Sequence, residues 1–106
     1  MKPINFHGDS LDRLRQLPEP AKKRAGYQLW RVQNGLDPVD WKSLPTVGKG
    51  VREIRIKYKG EYRIIYIASM RNAVHVLHVF QKKTGKTPQR EIALAEKRLK
   101  EIKHGK

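Results

Sequence analysis

Three strand-like runs stand in succession in the second half of the chain: VREIRIKY (51–58), EYRIIYIA (61–68) and AVHVLHVFQKK (73–83). In the first run isoleucines alternate with charged residues, and in the second the tyrosines share one face while Arg63 lies on the other. This two-residue period is typical of β-strands. Lys59-Gly60 and Arg71-Asn72 are turn signals between the runs, so the segment is predicted to form an antiparallel meander.

Two helices are predicted before the meander, after a brief strand in KPINF (2–6). The first helix can be capped by Asp9 or Ser10 and is ended by Pro18, and the second ends at Asn34-Gly35. Apolar residues recur at helical spacing in both, so each helix is predicted to bury one stripe. The stripes are Leu11, Leu14 and Leu17 in the first helix, and Ala21, Ala25, Leu29 and Val32 in the second.

A third helix is predicted near the end of the chain, with Thr87 as its cap and Pro88 in its first turn. Its apolar stripe is Ile92, Ala95, Leu99 and Ile102. Residues 35–50 are rich in glycine and proline and are predicted to form a loop. The order β-α-α-β-β-β-α predicts one α+β domain over residues 1–106, with two N-terminal helices and a C-terminal helix on a four-stranded, mainly antiparallel sheet.

Charge is the strongest compositional signal. The 106 residues include 24 lysines and arginines against 10 aspartates and glutamates, a formal net charge of +14. Such an excess attracts polyanions, so we predict nucleic-acid or ribosome binding, with anionic lipid as the alternative. Cysteine is absent, which excludes disulfides, thiolate metal sites and a cysteine nucleophile. No run is apolar enough for a membrane span or a signal-peptide core, so a cytoplasmic protein without membrane contact is expected.

Cations concentrate on the predicted meander. Like charges this close repel one another, so an anion such as a scissile phosphate is expected between them. Arginine is suited to binding phosphate because its planar guanidinium group can donate two parallel hydrogen bonds to the phosphate oxygens. A lysine close to other cations can act as a base because their charges lower its pKa. The cations are Arg52, Arg55, Lys57, Lys59 and Arg63, with Lys82 and Lys83 at the end of the third run.

The roles of two histidines and of Trp41 each have two possible interpretations. His75 and His78 have opposite parity on the third strand and are predicted to face opposite sides of the sheet. His78 is a candidate acid or base, although a structural histidine is the more common outcome. Trp41 lies in the predicted loop, where it either stacks on a base or covers the core. Carboxylates and histidines do not converge at ligand spacing, so neither a metal nor another cofactor is predicted.

Several motifs together resemble a known toxin family. The runs WKSLPTVGKGVREIRI (41–56), GEYRIIY (60–66), VLHVFQKKTGKTP (76–88) and EIALAEKR (91–98) resemble the phage-derived, HigB-like branch of the RelE/ParE toxin superfamily. The resemblance implies a RelE-like fold with a curved sheet and a type II toxin-antitoxin system. It also implies ribosome-dependent, metal-independent cleavage of mRNA, in which the ribose 2′-OH attacks the scissile phosphate. The implied partner is a co-encoded antitoxin, a helix-turn-helix protein through which the pair binds its operator DNA.

The resemblance also assigns catalytic residues. Arg55 and Lys57 match two alternating basic residues of the family. Arg63 matches the arginine that holds the scissile phosphate. Lys82 and Lys83 compete for a basic position at the end of the last strand.

The resemblance does not identify the general base, because RelE uses a tyrosine in its closing helix and this chain has none there. Lys57 or His78 is expected to replace it. Two other functions fit the same fold and charge: inhibition of DNA gyrase, as by ParE, and non-enzymatic nucleic-acid binding. The set of cations favours the nuclease, since a gyrase inhibitor needs no phosphate clamp. Further RNA contacts are predicted for Lys22, Lys23, Arg24, Arg52, Lys59, Lys97 and Lys100.

Overall fold

The computed structural model of the chain describes residues 1–70, 72–83 and 85–105. In chain order the elements are β1 (Ile4–Phe6), α1 (Ser10–Arg15), α2 (Glu19–Gln33), β2 (Trp41–Ser43), β3 (Val51–Lys57), β4 (Glu61–Met70), β5 (Ala73–Lys82) and α3 (Gln89–Lys103). The α+β class and the three helices are as predicted. Within the described residues, no helix combines the length and the apolar character that crossing a bilayer requires.

The sheet has the strand order β1-β5-β4-β3-β2. The predicted meander is confirmed, since β3, β4 and β5 pair antiparallel in sequence order. The first predicted turn is confirmed by the positive φ angles of Lys59 (48°) and Gly60 (134°). The second predicted turn includes Arg71, which lies outside the described residues.

The four-stranded, mainly antiparallel sheet of the sequence prediction is wrong in strand number and order. Trp41–Ser43 lies in the segment predicted as a loop, yet it forms β2, an edge strand that pairs antiparallel with β3. β1 lies parallel beside β5, so the five-stranded sheet is mixed. A strand of three residues is too short to show a two-residue period, and the glycines and prolines around it favour a loop prediction.

The sheet is covered on both faces. α1 and α2 pack on the face that carries Ile54, Ile64 and Tyr66. α3 packs on the other face, over Ile65 and Ile67. The helical stripes are largely buried, as predicted, and their buried members are Leu14, Ala21, Ala25, Leu29, Val32, Ala95, Leu99 and Ile102.

α3 begins one residue later than predicted. Its N-cap is Pro88, with an extended backbone, and no side chain caps the helix there. Thr87, the predicted cap, instead donates its hydroxyl to Oε2 of Glu53 on β3 at 3.0 Å. The hydroxyl is therefore used for a contact between the helix start and the sheet.

A β-bulge between β4 and β5 changes the predicted orientation of the two histidines on β5. His78 lies opposite Ile65 and His75 lies opposite Ile67, and the register shifts between Ile65 and Tyr66. Because Ile65 and Ile67 are two residues apart on one strand, both histidines lie on the α3 face. The prediction that they face opposite sides is wrong, since the bulge adds a residue to β5 and reverses its parity.

Candidate cationic site on the sheet

Five cationic side chains project from the α3 face of the sheet, and we refer to Lys42, Arg55, Lys57, Arg63 and Lys82 as the cationic cluster. Arg55 lies directly opposite Arg63 across β3 and β4. Lys57 and Lys82 both lie opposite a single β4 residue, Glu61. Lys42 on β2 lies opposite Glu53, which projects from the same face of β3 as Arg55 because the two residues are two positions apart. Cross-strand partners project on the same side of a sheet, so these side chains share one face.

Three carboxylates lie among these cations. Nη2 of Arg55 is 2.9 Å from Oδ1 of Asp40. Arg63 pairs with Glu61 through Nη2, and its Nη1 is 3.6 Å from Oε1 of Glu53. The repulsion predicted between the cations is therefore partly offset within the protein itself.

Arg63 is the most buried cation of the cluster, with 3% of its surface exposed. Within the described part of the chain, its Nε and Nη1 have no hydrogen-bond partner. Buried donors are almost always hydrogen-bonded in proteins, so such donors favour an incoming acceptor. Arg63 is thus anchored at Nη2 by Glu61 and lies beside Glu53 at Nη1, and both its Nε and its Nη1 are buried.

Lys82 ends β5 at the rim of the cluster and is half-buried. Burial lowers the pKa of its amine, and the charges of Arg63 and Lys42 lower it further, whereas Glu53 and Glu61 act in the opposite direction. The net shift is downward. A lysine with a lowered pKa is neutral more often near neutral pH and can accept a proton. Lys83, the other lysine predicted at this position, is exposed.

His78 lies beneath α3 and is fully buried. Its Nε2 is 2.5 Å from Oε1 of Glu91, and its Nδ1 is 3.1 Å from Nη1 of Arg98. A guanidinium only donates, so Nδ1 accepts that hydrogen bond and the Nε2 hydrogen points to Glu91. Burial lowers the pKa of His78, in agreement with a neutral ring. The structure therefore directs both ring nitrogens of His78 to α3 and not to the cationic cluster.

The predicted RNA-binding residues lie on several surfaces. Lys97 and Lys100 are exposed on α3, which covers the same face as the cationic cluster. Lys22 and Lys23 lie on α2, which covers the opposite face. Lys59 is exposed at the tip of the β3–β4 turn. These lysines do not form a single patch.

Two further arginines predicted to bind RNA are engaged within the protein. Arg24 on α2 donates a hydrogen bond to the carbonyl of Lys57. Arg52 lies on the α2 face, where its Nη1 is 2.8 Å from Oδ1 of Asp37. Its guanidinium carbon is 3.9 Å from the centre of the Trp41 ring. One face of that half-buried indole is therefore occupied by Arg52.

The predicted site contained neither Lys42 nor the carboxylates of the cluster. Lys42 was missed because β2 was assigned to a loop. The face of Glu53 can be predicted from the sequence, since the alternation in REIR (52–55) places Glu53 on the same side of the strand as Arg55. Its burial and its contacts depend on residues distant in sequence, which a local pattern does not contain.

A model of the family of phage-derived Gp49-like proteins (DUF891) matches residues 12–100. That family is associated with RelE-like, toxin-like proteins. No match was found among curated proteins. Over residues 1–70, 72–83 and 85–105, no three or more His, Cys, Asp or Glu side chains are placed to hold a metal ion together.

Proposed function

The chain belongs to the phage-derived Gp49-like family, and from that membership we propose that it is the toxin of a type II toxin-antitoxin system. In this proposal it is a ribosome-dependent endoribonuclease of the HigB-like branch, which cleaves mRNA and thereby inhibits translation. The supporting observation is the cationic cluster, in which a lysine with a lowered pKa, Lys82, shares one face with Arg55, Lys57 and Arg63.

The proposed reaction moves two protons around one phosphate. The neutral amine of Lys82 takes the proton of the ribose 2′-OH, and the 2′-oxygen forms a bond to phosphorus. The bond from phosphorus to the 5′-oxygen breaks, and the exposed ammonium of Lys57 gives that oxygen a proton. The products are a 2′,3′-cyclic phosphate and a 5′-hydroxyl end.

Two arginines stabilise the charge that develops on the phosphate. Arg55 is partly exposed beside Asp40, and within the described residues the buried Nε and Nη1 of Arg63 make no hydrogen bond. Donors that are held in place before the reaction stabilise a transition state strongly, because they need little reorganisation. The pair of carboxylates at Glu53 and Glu61 fixes the guanidinium of Arg63 from the protein side.

The proposed partners are the ribosome with its mRNA and a co-encoded acidic antitoxin with a helix-turn-helix domain. The net charge of +14 supports both, since it attracts RNA and an acidic protein alike. The antitoxin either covers residues 52–64 and 80–86 or binds a remote helix. Hydrogen exchange of the complex separates the two modes, because only direct covering protects the residues of the cationic cluster.

Programmed ribosomes test the proposed function. The purified protein should generate new 5′ ends in the ribosome-bound mRNA, and folded Arg63→Ala should be slower by about 100-fold or more. Lys103→Gln, which removes an exposed lysine of α3, should cleave like the wild type. Intact mRNA together with inhibition of gyrase supercoiling would instead assign the chain to the ParE type. Intact mRNA with RNA binding alone would leave a non-enzymatic module.

A further inference from the structure

A buried carboxylate lies in the middle of the cationic cluster. Glu53 on β3 is fully buried, and its Oε1 is 3.6 Å from Nη1 of Arg63 and 3.7 Å from Nζ of Lys42. Its Oε2 accepts the hydrogen bond from the hydroxyl of Thr87 at 3.0 Å. One side chain thus contacts β2, β4 and the segment that leads into α3.

Stability alone does not account for a carboxylate at this place. Removing a charge from water is costly, and a well-packed apolar side chain in place of a buried ion pair is often neutral or stabilising. Oε1 of Glu53 makes no hydrogen bond within the described residues, and neither does Nη1 of Arg63. Buried charges with incomplete hydrogen bonding are concentrated at functional sites, where proteins depart from the packing that stability favours.

We propose that Glu53 is a positioning residue of the nuclease site, which holds Arg63 and Lys42 in place and ties the segment before α3 to the cluster through Thr87. This inference rests on the proposed function and deepens it. Arg63 is held from two sides, by Glu61 at Nη2 and by Glu53 at Nη1. The guanidinium of Arg63 is thereby kept in one orientation.

The contact with Thr87 connects the site to α3. Thr87 directly precedes Pro88, and a residue before proline is restricted to extended backbone conformations. Because threonine is branched at Cβ, its χ1 is also restricted, and the hydroxyl has few alternative directions. Through this hydrogen bond Thr87, which directly precedes the N-cap of α3, is attached to β3.

Glu53 also acts on Lys82. The charges of Arg63 and Lys42 lower the pKa of the Lys82 amine, and those of Glu53 and Glu61 oppose this effect. All four residues lie with Lys82 on the same face of the sheet. Loss of the Glu53 charge leaves only Glu61 to oppose the cations, so the pKa of Lys82 should fall further. A Glu53 whose only role is to fill space would not have this effect when replaced by the isosteric glutamine.

The first experiment follows the Lys82 amine by NMR titration in the free protein. In Glu53→Gln its pKa should be lower than in the wild type, and in Glu101→Gln, which removes an exposed carboxylate at the end of α3, it should be unchanged. Equal pKa values of Lys82 in the wild type and in folded Glu53→Gln would overturn the proposal. The titration needs no cleavage, so its result is independent of the proposed function.

The second experiment measures cleavage on programmed ribosomes. Small displacements of catalytic groups cost on the order of 100-fold in rate, so Glu53→Gln should lower kcat by about that factor with little change in KM. Thr87→Val keeps every charge and removes only the hydrogen bond, and it should lower kcat by about tenfold or more. If Glu53→Gln does not fold, Thr87→Val decides the question, and wild-type cleavage by it would contradict the proposal. Absence of cleavage by the wild-type protein would refute the nuclease and with it the positioning role of Glu53, and the titration would still show whether Glu53 acts on Lys82.

Discussion

At Lys82, burial and the neighbouring cations together lower the pKa of the amine. Because only the neutral amine accepts the 2′-hydroxyl proton, cleavage should become faster as pH rises through a limb that lies below about 10.4, the ordinary value for lysine. Lys82→Gln should lower kcat by about 100-fold or more and remove this limb. Single-turnover cleavage on ribosomes over a pH series measures both, with Lys103→Gln as the charge-matched control. An unchanged limb in Lys82→Gln would exclude Lys82 as the base.

His78 should affect stability rather than the chemical step. Burial lowers the pKa of His78 and also that of His7 in the folded protein. In the unfolded chain both titrate near about 6.5, so below that pH the unfolded state binds protons that the folded state excludes. The free energy of unfolding should therefore be highest above about pH 6.5 and decrease as the pH falls through it.

The variant His78→Gln tests this assignment. Glutamine can still donate to Glu91 and accept from Arg98, so the protein should fold, with a smaller pH dependence of unfolding to which His7 still contributes. Denaturant unfolding above and below about pH 6.5 measures the change. Cleavage should stay within about tenfold of the wild type, less than the loss of a general base causes. A larger loss of kcat in folded His78→Gln would restore His78 as the base.

At the residue scale, alternation predicted that Arg55 and Lys57 share one face of β3, because the two-residue period fixes the side of each residue once the strand is known. That Arg63 lies on the same face follows from the register of β3 and β4, which places it opposite Arg55. Alternation failed for His75, since a bulge leaves no signature in a single sequence. Glu53 had the correct parity, but its role depends on Thr87, 34 positions away. Long-range contacts of this kind are absent from a periodic pattern.

At the scale of elements, the contact between α1 and α3 depends on a glycine. Gly8 has a φ of +57°, and a Cβ at this position would lie 2.2 Å from Nε of Arg98. That guanidinium is held by Asp9 at 2.9 Å and by the carbonyl of Leu77 at 3.0 Å, so it is not free to move aside. Gly8→Ala should therefore lower the free energy of unfolding by about 1–3 kcal/mol.

Gly26 provides the matched control for that substitution. It lies exposed inside α2, and apart from its two chain neighbours and the local helix backbone no described atom lies within 4 Å of the position of an added Cβ. Gly26→Ala should raise the free energy of unfolding by about 0.5–1 kcal/mol, since alanine is the better helix former. Denaturant unfolding of both variants gives the comparison. A Gly8→Ala protein as stable as Gly26→Ala would show that Arg98 does not anchor α1 to α3.

The helices were predictable because each carries apolar residues at helical spacing, over several turns in α2 and α3, and because α1 and α2 have clear stops at Pro18 and Asn34. β2 was not predictable, because it is only three residues long. It pairs with β3, the strand that would otherwise form the edge of the sheet, and that edge exists only once the sheet has formed. The parallel contact of β1 with β5 joins segments about 70 positions apart. Strand order is therefore a property of the assembled sheet rather than of any one element.

At the scale of the whole molecule, the net positive charge is distributed differently from the charged groups of the candidate site. The net charge of +14 is spread over both faces, whereas the carboxylates of the site are gathered around Arg55, Arg63 and Lys42. The overall field attracts a polyanion at a distance, and the cluster with its internal carboxylates fixes individual groups. The composition predicts the attraction of a polyanion, whereas the arrangement of the carboxylates around the cations is seen only in the folded sheet.

The salt dependence of ribosome binding should identify which face meets RNA. Each phosphate contact contributes about 0.7–0.9 to the slope of log K against log salt concentration. α3 covers the face of the cationic cluster, so the double variant Lys97→Gln, Lys100→Gln should reduce the slope by about 1.4–1.8. Lys22→Gln, Lys23→Gln removes the same charge from α2 on the opposite face, where Lys22 is already 3.2 Å from Glu19, and it should change the slope little. The cleavage step at saturation should be unaffected in both. Equal reductions by the two pairs would contradict binding through the α3 face, and no reduction by either would show that these helices do not supply the electrostatic attraction.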